Sequence, residues 1–282
     1  MTDQEKRELQ SFALRIRIGT VECVKSRGFG HIGGSLSVVD ALAVLYGKVM
    51  RIDPRNPQWE ERDKLVCSKG HAGPAVYATL ALKGYMPYDM LYTLNQPGTH
   101  LPSHCDRRLT PGVDMTTGSL GQGTSLAVGM AYGDKLKGRS SRTYLIVGDG
   151  ELNEGQVWEA AMFAAGKNVN NMTWLIDWNK KQLDGYVSDI LEPFDIRAKF
   201  EAFGFEAVQI DGHDVAQLYD ALTKTSDRPI AIVMDNIKGK GVTQVEQTVS
   251  NHSMNVSAEV FDRWLEELRT QLSALEAQGG GI

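Results

Sequence analysis

Sulfur chemistry has little to work with in this 282-residue chain: it holds three cysteines, Cys23, Cys67 and Cys105, with no CxxC spacing. Three such positions make no disulfide framework. A reducing, cytoplasmic setting fits them, each as a small buried thiol. No apolar run approaches the ~20 residues a membrane-spanning helix needs, and the opening MTDQEKRELQ lacks the apolar core of a secretory signal. Long basic runs are missing too, and the formal net charge is −5. Nucleic-acid and membrane partners therefore find no support. What is present, 42% hydrophobic and 23% charged residues, is the balance of a globular protein with a sizeable core.

Periodicity places the elements. Leu9, Phe12, Ile16 and Val24 fall on one helical stripe in the segment up to about Ser26. RGFGHIGGS interrupts it, and Ser37 reads as the cap of a second helix through VVDALAVLYGKVM. DPRNPQWEERD is a polar loop, and KLVCSKGHAGPAVYATLALKGY reads as a short strand, a glycine turn and a helix. From Pro87 to Pro111 runs a long irregular stretch of the kind that is often functional. TTGSLGQGTSLAVGMAYGDKLKG is a glycine-rich entry into a helix of small residues, which suits close packing across a subunit interface. RTYLIV (142–147), MTWLID (172–177), FEAVQI (205–210) and PIAIVMD (229–235) are apolar runs suited to parallel strands. Helical stretches separate them, so the expected fold is α/β, a doubly wound and mostly parallel sheet with helices on both faces. One domain over 1–282 is expected, closed by an amphipathic helix at about 257–278, with GGGI as a frayed tail.

The chemistry concentrates between Gly148 and Gly185, in GDGELNEGQVWEAAMFAAGKNVNNMTWLIDWNKKQLDG. Asp149 and Asn179 each end a strand, and 179 − 149 = 30 residues separate them, about one βαβ unit. Both side chains can then meet at the carboxyl ends of neighbouring parallel strands, where open α/β sheets bind ligands. A carboxylate with an amide oxygen is hard-oxygen chemistry, suited to a Mg²⁺ that also holds a phosphate. Gly150 lets the backbone approach that phosphate.

This pattern resembles the thiamine-diphosphate motif of the transketolase family, GDG followed about thirty residues later by Asn. The likeness runs on through GFGHIGGSLS (28–37), SKGHAGPAVYATLALKGY (68–85), TTGSLGQGTSLAVGMA (116–131) and IDGHD (210–214), in order and over roughly residues 10 to 255. It implies a thiamine-diphosphate-binding α/β domain whose Mg²⁺, replaceable by Ca²⁺ or Mn²⁺, sits on Asp149, Asn179 and the backbone carbonyl of Lys181. It implies catalytic roles for His31, His71, His104 and His252, with His71 and His252 toward the diphosphate and His31 and His104 toward sugar hydroxyls. The SNHSMN wording around His252 departs from the family's commoner form. Gly148, Gly150 and Glu151 join the cofactor-binding set, with Gly118 and Leu120 at the thiazolium and aminopyrimidine rings. A lysine of KGKG (238–241) can face the diphosphate, while His100 and His213 are read as structural. Glu154 and Glu159 match acids at the family's dimer interface.

The activity so implied is transfer of a two-carbon ketol unit from a ketose, typically a phosphate, to an aldose. One-chain transketolases carry a further domain that supplies the glutamate activating the aminopyrimidine. No segment here matches it, so the expectation is a two-chain enzyme: this chain, a partner with the pyrimidine-binding domain, and an α₂β₂ assembly. The alternatives are a deoxyxylulose-phosphate-synthase-like enzyme, the α-subunit of a 2-oxo-acid dehydrogenase, a non-catalytic relative of the same fold, or a piece of a longer protein.

Overall fold

The structure, a computed structural model, describes residues 1–183 and 185–278. The GGGI tail read as frayed lies outside the described residues. Helix α1 (Asp3–Lys25) starts in a reciprocal cap: the Thr2 hydroxyl accepts from the Glu5 amide while the Glu5 carboxylate accepts from the Thr2 amide. Its stripe of Leu9, Ile16 and Val24 is buried as the spacing predicted. Helix α2 (Val39–Val44) runs on into a π-helical turn at Leu45–Val49.

Ser37, expected as the cap of this helix, does not cap it; α2 begins without a side-chain cap. A separate helical turn, Gly33–Leu36, comes first, and the Ser37 hydroxyl instead donates to Asp177 at 2.6 Å.

Strand β1 (Lys64–Cys67) leads into helix α3 (Gly73–Leu82), and helix α4 (Gln122–Leu136) into strand β2 (Thr143–Gly148). Then follow α5 (Gly155–Gly166), β3 (Met172–Trp178), α6 (Ile196–Ala202), β4 (Glu206–Asp211), α7 (Val215–Thr223), β5 (Ile230–Asp235) and α8 (Ala258–Ala277). The five strands form one sheet in the order β1-β2-β3-β5-β4, every pair parallel. Strands buried on both faces explain the unbroken apolar runs. Along β2, Tyr144 and Ile146 face one core, while Leu145 and Val147 face the other. The first core holds α1, α2, α3, α7 and α8. The second holds α4, α5 and α6 around Trp174, Phe200 and Phe205. Helices therefore cover both faces, as expected. Helix α8 packs on α1 through Phe261, Trp264, Leu265 and Leu268, each contributing about 1.5–3 kcal/mol by burial.

For the site, the consequential pairing is β2 with β3. Their register sets Gly148 opposite Asp177, so the residues that follow, Asp149 and Asn179, leave the sheet side by side at its carboxyl edge. Two short ribbons flank that edge: Phe29–Gly30 with Met254–Asn255, and Lys181–Gln182 with Gly185–Tyr186.

Candidate active site

A cavity of about 240 Å³ opens at this edge. Every site residue expected from the sequence lines it: the four histidines, Gly118, Leu120, Gly148, Asp149, Gly150, Glu151, Asn179 and Lys181. His100 stands outside it.

The floor is built from the two strand ends. Asp149 is buried, and its oxygens accept from the amides of Gly150 at 2.8 Å and Lys180 at 2.6 Å. Burial, and then the nearby Asp177, push its carboxyl up to about 7. Asn179 donates through Nδ2 to Asp177 at 2.8 Å and accepts the Lys181 amide at 3.1 Å on Oδ1. Its amide oxygen is thereby fixed on the side away from Asp177. The Lys181 side chain turns away, donating to the carbonyls of Glu246 and Thr248, and only its own carbonyl serves the floor. That carbonyl accepts the Lys238 ammonium at 3.2 Å.

Beneath lies a charge cluster that composition alone does not reveal. Lys69 and Asp177 form an ion pair in which both side chains are buried. Ser37, Asn179 and Asn236 also donate to the Asp177 carboxylate. Burial opposes its charge, yet Lys69 and these donors hold it below the usual carboxylate range. Lys238 is buried as well; desolvation, helped by the neighbouring Lys69, brings its ammonium down to about 8. Lys69 and Lys238 were missed as individual site residues. Their signal was a lysine inside a glycine turn, SKGHAG and IKGKG, where a solvated charge gains nothing from glycine. The signal for Asp177 was a carboxylate ending an otherwise apolar strand.

The histidines form the wall. His31 stands 5.6, 5.3 and 5.2 Å, ring centre to ring centre, from His71, His104 and His252, and His71 lies 4.6 Å from His252. Burial, then the charges of His104 and Lys238, lower His31 to about 4. Burial and Lys69 lower His71 well below the ordinary imidazole value, and burial lowers His104. Near neutral pH these three rings are therefore uncharged, each offering one N–H donor and one lone pair.

Close approaches explain two glycines. A Cβ on Gly150 would stand 2.6 Å from the Gln182 Cβ, so only glycine lets the 181–182 ribbon close over the β2 end. Gly118 has φ +151° and lies against the His104 ring. Glu151 lines the cavity but its oxygens are engaged: it accepts from the Ser68 hydroxyl and from the amides of Gly121 at 2.8 Å and Gly148 at 3.1 Å. It braces the glycine loop against the β2 turn.

An anion and a divalent cation both fit this donor set. The carboxylate, amide oxygen and backbone carbonyl are hard-oxygen ligands, and an ammonium already rests on that carbonyl. The buried Gln182 Nε2 has no hydrogen-bond partner, which leaves a donor at the cavity for an anionic oxygen.

Residues 9–272 match the family described as transketolase, thiamine diphosphate binding domain. The chain belongs to the transketolase family. A 6-deoxy-6-sulfo-D-fructose transketolase subunit of Clostridium sp. (strain MSTE9) is 47% identical over 95% of this chain and 98% of its own length. One of the two subunits of an apulose-4-phosphate transketolase, from Phocaeicola vulgatus, is 34% identical over 98% and 99%. The crystal structure of the Campylobacter jejuni transketolase superposes with a TM-score of 0.83 at 27% identity, covering 98% of this chain but 48% of that one. This transketolase-family chain thus spans about half of the one-chain enzyme it superposes on, and nearly all of two relatives named as subunits. Its α/β thiamine-diphosphate-binding fold is the one the GDG…N pattern implied. Among the described residues, no helix is long and apolar enough to cross a membrane.

Proposed function

We propose that this chain is the diphosphate-binding subunit of a two-chain transketolase, active together with a separate chain that carries the pyrimidine-binding domain. The observation that carries the reading is the meeting of Asp149, Asn179 and the Lys181 carbonyl with four histidines at one cavity. Two relatives of matching length, each named as a subunit, support the division into two chains.

In this reading a Mg²⁺ held by Asp149, Asn179 and the Lys181 carbonyl anchors the diphosphate. Lys238 and Gln182 donate to the diphosphate oxygens. The cofactor supplies a carbon nucleophile that takes up a two-carbon ketol unit and passes it on. The chain's own residues bind, orient and move protons. His71 and His252 stand on the Lys69 and Lys238 side and hold the diphosphate end. His31 and His104 face the space left for the sugar and exchange protons with its hydroxyls as uncharged imidazoles. Leu120 offers an apolar wall to the thiazolium ring. The donor is a ketose with an anionic terminus. A 6-sulfo ketose belongs beside the pentose and hexose phosphates in the assay, since one relative is named for it.

Glu154 and Glu159 lie exposed at the start of α5, and the family likeness places them at an interface between α₂β₂ protomers. Calorimetric binding of thiamine diphosphate with Mg²⁺ by the two-chain complex tests the site. The expected result is saturable binding that Asp149→Ala reduces at least about a hundredfold, the upper range for losing one partner of a buried polar set. Binding unchanged by that substitution would place the cofactor elsewhere.

A further inference from the structure

IDGHD (210–214) does not reach the cavity, yet its histidine is built into a buried network. His213 Nε2 accepts the Ile237 backbone amide at 2.8 Å, which fixes the ring proton on Nδ1. Nδ1 lies 2.8 Å from Asp40 Oδ2 and donates to it. Asp40 is gripped from its other side by Arg17, at 3.1 and 2.5 Å. Arg17 then donates through Nε to the Lys240 carbonyl at 2.9 Å. The side chains of Arg17 and Asp40 are only 6% and 8% exposed, and His213 is 12% exposed. Four pieces of chain thus converge: α1, α2, the β4–α7 turn and the turn after β5.

Both ends of that last turn are therefore held. Ile237 is fixed by its amide and Lys240 by its carbonyl, through one ion cluster. Lys238 lies between them. Its own carbonyl accepts from Asn251 Nδ2 at 3.0 Å, and the Gly239 amide donates to Gly33 at 3.0 Å. Asn251 directly precedes His252. Gly241 has φ +98°, and a Cβ there would meet Arg17 Cδ at 2.6 Å, so the turn closes over the guanidinium only with glycine. A motif so far from the cavity, with a fully engaged histidine, makes sense as a frame for the cationic turn.

We propose that His213 and Asp40 are positioning residues that act through the 237–241 turn to hold the Lys238 ammonium at the cofactor's diphosphate. The inference rests on the reading of the cavity as a thiamine diphosphate site. Neither residue touches cofactor or substrate; removing either lets the turn relax and the ammonium leave the Lys181 carbonyl.

A double-mutant cycle on the two-chain complex tests it, with thiamine diphosphate affinity in Mg²⁺ as the readout and melting without cofactor as the fold control. His213→Ala is expected to weaken binding about tenfold, the effect of one lost buried hydrogen-bond link. In a Lys238→Ala background the same substitution is expected to change affinity less than about twofold, because the two act as one unit. His213→Gln, which can serve Asp40 or Ile237 but not both, recovers part of the affinity. If His213→Ala fails to fold, His213→Gln and Asp40→Asn run the same cycle. An equal loss in both backgrounds overturns the inference, since His213 would then support the domain at large. Wild-type affinity in His213→Ala with weakened Lys238→Ala overturns it while leaving the site standing. Wild-type affinity in Asp149→Ala overturns the reading of the cavity itself.

Discussion

Asp177 bears on everything at the cavity floor without facing the cavity. It neutralises Lys69 and orients the Asn179 amide, so removing its charge leaves a buried ammonium with no counter-ion. Breaking a buried pair in this way costs about 3–5 kcal/mol. Asp177→Asn is accordingly expected to lower the urea-unfolding free energy of the chain by that amount; a loss under about 1 kcal/mol would show that Lys69 finds another partner. His31 gives a pH signature. Its folded value, about 4, lies below the ordinary imidazole value of about 6.5. Between those limits the unfolded chain binds more protons at this site than the folded one, so stability is complete above pH 6.5 and declines as pH falls toward 4. His31→Gln removes that share. The stability gap between wild type and variant, measured by denaturant at pH 7.5 and pH 5, is therefore expected to shift against the wild type at the lower pH. A gap independent of pH would mean that His31 is not held uncharged.

Among the elements, the decisive one is the short ribbon at Lys181–Gln182, because its backbone supplies the last oxygen of the floor. Gly150→Ala puts a methyl group 2.6 Å from Gln182 Cβ, and overpacking of this kind costs about 1–3 kcal/mol. The ribbon bears that strain, so cofactor affinity is expected to fall about tenfold while the melting temperature moves little. Unchanged affinity would show that the ribbon has room to shift. The strands themselves were legible in sequence to within a residue or so, since RTYLIV, MTWLID and PIAIVMD are apolar on both sides and demand a doubly covered sheet. The cavity residues were legible where glycine, histidine and carboxylate repeat a family pattern. Ser37 was not, because a serine before an apolar run reads as a cap, and only the packing of the 33–37 turn on β3 directs its hydroxyl to Asp177. Lys69 and Asp177 escaped for the same reason. They lie 108 residues apart, and no local pattern announces a long-range ion pair.

At the level of the molecule, one face remains open. On α4 and α5, Leu126, Leu136, Met162 and Phe163 are 40%, 69%, 62% and 42% exposed, and a Cβ on Gly129 or Gly133 would meet no atom within 4 Å. The small-residue helix expected to pack across subunits thus shows a surface free to do so, next to Glu154 and Glu159. Met162→Glu with Leu126→Glu is expected to leave the stability of the isolated chain within about 0.5 kcal/mol and to shift the two-chain assembly toward smaller species in sedimentation. An unaltered assembly would place the interface on another face. The two-chain reading meets its most direct test in two-carbon ketol transfer, assayed with thiamine diphosphate and Mg²⁺ on sugar phosphates and a 6-sulfo ketose. This chain, the pyrimidine-domain chain, and the mixture are compared. The expected result is turnover in the mixture alone, abolished by Asp149→Ala in this chain. Turnover by this chain alone, or by a mixture carrying Asp149→Ala, would contradict it.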